Sequence, residues 1–265
     1  MKELIVSDFD DTLINSDEEI PASTVVVLDS LRRTGYKFAI ATGRPLQTIL
    51  DYNHDFLFTD YIISNNGAVI YDCVKEKIIF HKSMLVSNIK KIVKTYYDKA
   101  IIYLVDSYNW NLISEKSAYN NDADIVNRIV DYEKFIEEAK KDINKIELYF
   151  KTLKEAEISL EEIKSLNLKV NVNLQISGDK FMLEITHQDV SKLTGVSYVA
   201  LKNKIGLDMV VAFGDGHNDV ELIKNVGVGV AVDNAVDELK KVAKELTDDC
   251  NHKGVEKFLK KQFMG

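Results

Sequence analysis

The amino-acid sequence predicts an α/β fold: a parallel-sheet core with helices on both faces, interrupted in mid-chain by an inserted α+β cap domain. Three observations predict it. Short apolar runs, Leu4-Ile5-Val6, Lys37-Phe38-Ala39-Ile40-Ala41 and Met209-Val210-Val211-Ala212-Phe213, each end in a polar loop that leads into a helical pattern, the rhythm of buried parallel strands. After about residue 82 that rhythm gives way to alternating apolar and polar residues, clearest from Leu168 to Ile176. From about residue 188 the first rhythm returns. The core is therefore expected to be discontinuous, residues 1–82 and 188–265, with the cap at 83–187.

In chain order, Leu4-Ile5-Val6 is the first strand and Asp8 to Asn15 a polar loop. Pro21 suits the start of a helix that runs to Arg33, with Val25, Leu28 and Leu31 on one face and Gly35 closing it. Lys37 to Ala41 is the second strand, ending in Thr42-Gly43-Arg44-Pro45. Tyr61-Ile62-Ile63 is the third, and Asn65-Asn66-Gly67 turns the chain into Ala68 to Tyr71. In the cap, Ile101–Val105, Asn109–Ile113 and Lys145–Phe150 read as strands, with helical stretches near 131–141 and 152–165. Leu168, Val170, Val172, Leu174 and Ile176 alternate with polar residues as a half-exposed antiparallel strand, and Lys180 to Thr186 is its hairpin partner. A helix over Lys192–Lys204, a strand over Met209–Phe213, a helix over Asp219–Lys224 and a strand over Gly227–Val232 rebuild the core, and amphipathic helices finish the chain.

Composition narrows the function. At 265 residues and 46% hydrophobic the chain can bury a core without a disulfide or a structural metal. Cys73 and Cys250 match no zinc or redox spacing and read as reduced thiols. A net charge of -8 argues against a grip on nucleic-acid phosphates. No apolar run approaches the roughly 18 residues of a membrane span. The opening MKELIVSDFDDT has three consecutive apolar residues before charge returns, so it does not read as a signal peptide. The expectation is a cytoplasmic protein with neither a nucleic-acid nor a membrane partner.

Ligands of open parallel sheets collect at the carboxyl ends of the strands. Three polar clusters lie there: Asp8-Phe9-Asp10-Asp11-Thr12, Thr42-Gly43, and Asp215-Gly216-His217-Asn218-Asp219. Their convergence gathers Asp8, Asp10, Asp215 and Asp219 around one point. Two carboxylates about 4 Å apart repel by about 4 kcal/mol at an effective dielectric near 20, so the cluster calls for a counter-charge. Mg²⁺ takes all-oxygen ligands and keeps positions open for a substrate phosphate, whereas the five histidines show no zinc spacing. Taken singly, each cluster has a plainer reading. Asp8, Asp10, Thr12 and Glu19 imitate a calcium loop, but Leu13 stands where that loop needs glycine and a strand precedes it rather than a helix. Thr42 alone suits a helix N-cap, Lys192 a solvated helix charge, and His217 a rim position.

The combination resembles the haloacid dehalogenase (HAD) superfamily, specifically its Cof-type phosphatases of subfamily IIB, over essentially the whole length. Asp8-Phe9-Asp10-Asp11-Thr12 is similar to that family's first motif, Ala41-Thr42-Gly43-Arg44 to the second, Val190-Ser191-Lys192 to the third, and Gly214-Asp215-Gly216-His217-Asn218-Asp219 to the fourth. Asn66-Gly67-Ala68, Asn234-Ala235 and Gly254-Val255 match further landmarks. The resemblance implies a Rossmann-like core and an α/β cap that selects the leaving group. It implies a Mg²⁺-dependent phosphatase of small phosphorylated metabolites, sugar phosphates foremost. Asp8 would be the nucleophile that forms an aspartyl-phosphate, and Asp10 the acid and base. Asp8, the Asp10 carbonyl and Asp215 would hold the metal, with Asp219 supporting from behind. Thr42, Gly43, Lys192 and Asn218 would hold the phosphoryl oxygens.

Two departures stand out. Asp11 replaces the usual glycine, either adding charge beside the nucleophile or facing solvent. Val190-Ser191-Lys192-Leu193 lacks the customary glycine, which leaves Lys202 and Lys204 as alternatives one helix length on. In the cap, the stripe Lys169, Asn171, Asn173, Gln175 faces either a hydroxylated substrate or solvent. His187 stands either at the active site or at a hinge surface, and Trp110 reads as cap packing or a stacking platform. A phosphosugar mutase would need cap arginines for a second phosphate, and the cap offers Arg128 alone. A phosphate-responsive regulator would need neither Asp10 nor a cap of this size.

Overall fold

In the computed structural model, the described residues are 4–52, 58–113, 126–128, 134, 136 and 142–264. The strands, in chain order, are β1 (Leu4–Ser7), β2 (Lys37–Ala41), β3 (Tyr61–Ser64), β4 (Val69–Asp72), β5 (Lys77–His81), β6 (Ile101–Val105), β7 (Trp110–Leu112), β8 (Val126–Arg128), β9 (Lys145–Phe150), β10 (Val170–Ser177), β11 (Lys180–His187), β12 (Val210–Gly214), β13 (Val228–Val232) and β14 (Glu245–Thr247). The helices are α1 (Ala22–Arg33), α2 (Leu46–Leu50), α3 (Val86–Tyr96), α4 (Leu153–Ser165), α5 (Lys192–Lys202), α6 (Val220–Asn225), α7 (Asp237–Val242) and α8 (Gly254–Phe263).

The chain divides into two compact units, one of residues 1–43, 53–79 and 191–265, the other of 44–52 and 80–190. The first unit is built on a sheet of order β14-β13-β12-β1-β2-β3-β4-β5. It is parallel from β14 to β3 and turns antiparallel at β4. Its central strands are wholly buried, which explains why they read as unbroken apolar runs rather than alternating ones. Helices α1 and α8 pack together, and α5, α6 and α7 form a second group. Leu4 and Ser7 of β1 are in register with Val210 and Phe213 of β12 and with Lys37 and Ile40 of β2, so these three neighbours end level.

The second unit carries a sheet of order β10-β11-β9-β6-β7-β8. Its pairings from β10 to β7 are antiparallel, and β7 pairs with β8 in parallel. The amphipathic faces of α3 and α4 share one core with alternate strand residues, among them Ile102, Leu104, Ile146, Leu148, Leu183 and Ile185. The intervening positions hold a buried polar network. Lys145 Nζ donates to Glu184 Oε1 at 3.0 Å, and the Trp110 indole and the Tyr149 hydroxyl donate to Glu147 Oε2 at 3.0 and 3.1 Å. Burial alone would lower the Lys145 pKa, but Glu147 and Glu184 reverse this and hold it above the usual lysine range. Trp110 is thus tied by a hydrogen bond rather than by packing alone. Asn171 donates to the carbonyls of Gln188 and Val190, and Gln175 to Glu184, so half of the polar stripe is bonded within its own unit.

The second unit also takes in residues 44–52, where the Gln47 N–H donates to the Tyr108 carbonyl. Helix α3 and strands β5, β8 and β14 are additional to the expected elements. The predicted loop after β1 is a wide π-type turn, Phe9–Leu13, that buries Phe9, Thr12 and Leu13. The helix expected near 131–141 lies outside the described residues, apart from Lys134 and Ile136, which are helical. Both cysteines are free thiols. No helix among the described residues is long and apolar enough to cross a membrane.

One glycine is required by close approach. Gly67 has φ 99°, and a Cβ there would collide with the Ser191 carbonyl at the start of α5. Gly67→Ala is expected to destabilise the protein by about 2–4 kcal/mol, combining backbone strain with the collision. A thermal melt checks this, and an unchanged midpoint contradicts it.

Candidate active site

Asp8 extends the β1 ladder by one residue, its N–H donating to the Phe213 carbonyl at 3.0 Å. Lys192 is the first residue of α5. A capping box fixes that helix start: Ser191 Oγ accepts from the Thr194 N–H at 3.2 Å, and Thr194 Oγ1 accepts from the Ser191 N–H at 2.9 Å. The Lys192 side chain is fully buried, with Nζ 2.8 Å from Asp8 Oδ1 and 2.7 Å from Asp219 Oδ1. Lys202 and Lys204, the alternatives, are both exposed.

Asp219 is spoken for on both oxygens. Oδ1 takes Lys192, and Oδ2 accepts the backbone N–H groups of Asp215 and Gly216 at 3.2 and 3.1 Å. The carboxyl can lie there because residue 214 is glycine; a Cβ at that position would come within 2.6 Å of Asp219 Cβ. Asp215 is held by the Thr12 hydroxyl, which donates to Oδ1 at 2.9 Å. Asp10 is half-buried in the Phe9–Leu13 turn, two residues from Asp8. Asp11 is exposed with φ 52°, and Asn234 Nδ2 donates to its carbonyl at 2.7 Å. Asp tolerates this left-handed conformation at modest cost, which suits the position glycine usually fills.

The residues at the end of β2 join through a different route. Thr42 is buried, and its carbonyl accepts from the Asn66 N–H at 2.9 Å. Asn218 Nδ2 donates to Asn66 Oδ1 at 3.0 Å. Gly43 follows Thr42 and is half-buried. His217 is exposed and paired with Glu238 at 2.9 Å, a rim position. His187 lies in the other unit at the end of β11, where its Nδ1 accepts from the Asp189 N–H at 3.2 Å.

The electrostatics are lopsided. Asp8, Asp215 and Asp219 have carboxylate oxygens within 4.8 Å of one another, and among the described residues Lys192 is the ammonium that pairs with Asp8 and Asp219. Burial pushes the Asp8 pKa well above the usual carboxylate range, and Asp219 adds to this against the pull of Lys192. Burial and Asp219 push Asp215 up to about 6. For Lys192, burial alone would lower the pKa, but Asp219 and Asp8 outweigh it and hold the ammonium charged. Three carboxylates and one ammonium leave an excess of negative charge in a buried place, which a divalent cation relieves. The donors are hard carboxylate oxygens, so the set fits a cation of the Mg²⁺ class. Both Asp219 oxygens already accept hydrogen bonds, from Lys192 and from the Asp215 and Gly216 N–H groups.

A family model for haloacid dehalogenase-like hydrolases matches residues 5–259. The chain belongs to the haloacid dehalogenase-like hydrolases. A Mycoplasma pneumoniae protein whose name proposes it as a phosphatase is 30% identical over 278 residues, covering 96% of this chain and 95% of that protein. The 5-amino-6-(5-phospho-D-ribitylamino)uracil phosphatase of Bacillus subtilis is 24% identical over 280 residues, covering 98% and 97%. Among solved structures, a HAD subclass IIB sugar phosphatase superposes with TM-score 0.79 at 21% identity, covering 98% of each chain.

In this haloacid dehalogenase-like hydrolase the sequence-predicted carboxylates Asp8 and Asp219 meet Lys192 directly with Asp215 beside them, while Asn218 and Thr42 meet through Asn66. Sequence reasoning quoted Thr12 and Asn66 within motifs but gave neither a task. The Asn-Asn-Gly turn signal at 65–67 marked the place of Asn66; only the folded chain shows what its side chain touches.

Proposed function

We propose that this hydrolase is a Mg²⁺-dependent phosphatase of small phosphorylated metabolites, sugar phosphates foremost, acting through an aspartyl-phosphate on Asp8. The observation that carries the reading is the buried Lys192 ammonium shared by Asp8 and Asp219, with Asp215 beside them. A carboxylate can approach a phosphate dianion only where positive charge offsets the repulsion. The phospho-D-ribityl substrate in the name of the Bacillus subtilis relative, and the sugar phosphatase among the structural neighbours, support a polyhydroxylated leaving group.

Both the Phe9 N–H and Lys192 Nζ engage Asp8 Oδ1, at 2.7 and 2.8 Å, which fixes the rotation of the carboxylate. A carboxylate oxygen of Asp8 forms the new bond to phosphorus as the ester P–O bond breaks, and Asp10 gives its proton to the departing oxygen. Asp10 then takes a proton from water, whose oxygen attacks the aspartyl-phosphate, freeing phosphate and restoring Asp8. One group thus serves both half-reactions as acid and then base. Thr42, the Gly43 N–H, Lys192 and Asn218 hold the phosphoryl oxygens. Mg²⁺, held by Asp8, the Asp10 carbonyl and Asp215, would supply further positive charge against the transferring group. Residues 1–82 and 188–265 would carry this chemistry, and 83–187 the choice of leaving group.

The test is phosphate release across a panel of phosphorylated metabolites, with Mg²⁺ and with chelator. Turnover that falls to background on chelation is expected. Turnover indifferent to chelator would remove the metal, and no turnover on any member by folded protein would remove the phosphatase reading.

A further inference from the structure

Asn66 sits at the β3–β4 turn, nearly buried and with φ 54°, a left-handed conformation that asparagine adopts more readily than most residues. From that one place it reaches two strand ends. Its N–H donates to the Thr42 carbonyl at 2.9 Å, next to β2, and its Oδ1 accepts from Asn218 Nδ2 at 3.0 Å, beyond β12. The next residue, Gly67, packs on the Ser191 carbonyl, which precedes Lys192. A two-residue turn therefore touches three elements: the one bearing Thr42, the one bearing Asn218 and the one bearing Lys192.

We propose that Asn66 is a positioning residue, orienting the Asn218 carboxamide so that its N–H, and not its C=O, faces the phosphoryl group. This rests on the reading of Asn218 as a phosphoryl ligand given above. The physical reason lies in the two unlike ends of a carboxamide. A phosphoryl oxygen only accepts, so Asn218 serves it only with Nδ2 turned inward. The Asn66 Oδ1 also only accepts. With its Oδ1 turned to Asn218, Asn66 takes one of the two Nδ2 hydrogens and penalises a flip of Asn218 alone, which would set two oxygens face to face. The second hydrogen is left for the phosphoryl oxygen. The Asn66 backbone contact holds Thr42 at the same time, so both ligands share one reference point.

A merely structural Asn66 would shape the turn and nothing more, and glycine would replace it without loss. The experiment uses Asn66→Gly, which keeps the left-handed backbone and the N–H to Thr42 and removes only the carboxamide. Calorimetric titration with inorganic phosphate in Mg²⁺ is combined with kcat, KM and a thermal melt. Asn66→Gly is expected to weaken phosphate binding about tenfold, as for one lost hydrogen bond to a charged group, and to raise KM more than it lowers kcat. In an Asn218→Ala background the same change is expected to cost less than about twofold, because the residue it acts through is gone. Asn66→Ala should match the glycine variant in phosphate binding while melting lower, which separates backbone strain from the carboxamide's task.

Phosphate binding within about twofold of wild type in Asn66→Gly, or an undiminished loss in the Asn218→Ala background, overturns the proposal. Normal phosphate binding by Asn218→Ala alone would overturn it together with the phosphoryl role of Asn218. Weakened binding by Asn218→Ala with a silent Asn66→Gly overturns the proposal and leaves that role standing.

Discussion

Asp8→Asn is expected to fold normally and to lose phosphate release by a factor on the order of 10⁴–10⁶, the scale seen when a covalent nucleophile is removed from a unit of cooperating groups. The substitution is nearly isosteric, and an amide oxygen at the Oδ1 position still accepts from the Phe9 N–H and from Lys192, so the local bonds survive. It also removes one of three clustered carboxylates, which relieves repulsion and so acts against any loss of stability. The expected signature is therefore a large fall in kcat with an unchanged or raised melting temperature. Activity within tenfold of wild type would remove the covalent mechanism. Lost activity together with a collapsed melt would mean that Asp8 is structural.

Lys192→Met should give the opposite balance, with the larger effect on stability. The lysine is fully buried and bridges Asp8 and Asp219, which are themselves buried. Removing the ammonium leaves two uncompensated carboxylates in a low-dielectric place, and breaking a buried pair from one side costs about 3–5 kcal/mol. For a chain of this size that corresponds to roughly 10 °C in the melting temperature. Methionine fills much of the lysine stem's volume, so the loss is chiefly electrostatic. Mg²⁺ should then raise the melting temperature of the variant more than that of wild type, since a cation can neutralise the orphaned Asp8. An unshifted melt would mean that solvent reaches these carboxylates and that the site is not dry. Turnover should fall with either result, because Lys192 stands against Asp8, the proposed nucleophile.

Much of the core was readable because a parallel strand buried on both faces leaves a continuous apolar run, and the residue after such a run stands at the sheet's carboxyl edge. That placed Asp8 after β1, Thr42 after β2 and Asp215 after β12. The antiparallel hairpin of β10 and β11 was equally plain, since only one of its faces meets the α4 side of the core. Helix α3 escaped notice although Ile89, Ile92, Val93 and Tyr96 have helical spacing, because no polar residue caps its start; Leu85 occupies that position without a side-chain bond. Strand β14 is three residues long at the sheet edge and β5 is polar at both ends, so neither carries a pattern long enough to register.

The sequence by itself determined which residue types stand at the strand ends, and with them the acidic cluster, the call for a hard cation and the family. Only the tertiary structure decided which partner each group takes. Of the three lysines 192, 202 and 204, it is Lys192 that is buried against Asp8, at the capped start of α5. Asp219 and Asp215 look alike in the chain, yet the absence of a Cβ on Gly214 lets the Asp219 carboxyl fold back on the backbone, while Asp215 accepts from the Thr12 hydroxyl. The bond between Asn66 and Asn218 spans 152 residues. Periodicity reports what a residue does beside its near neighbours along the chain. A contact between two strand ends depends on the order in which the sheet lays its strands down, and no local pattern encodes that order.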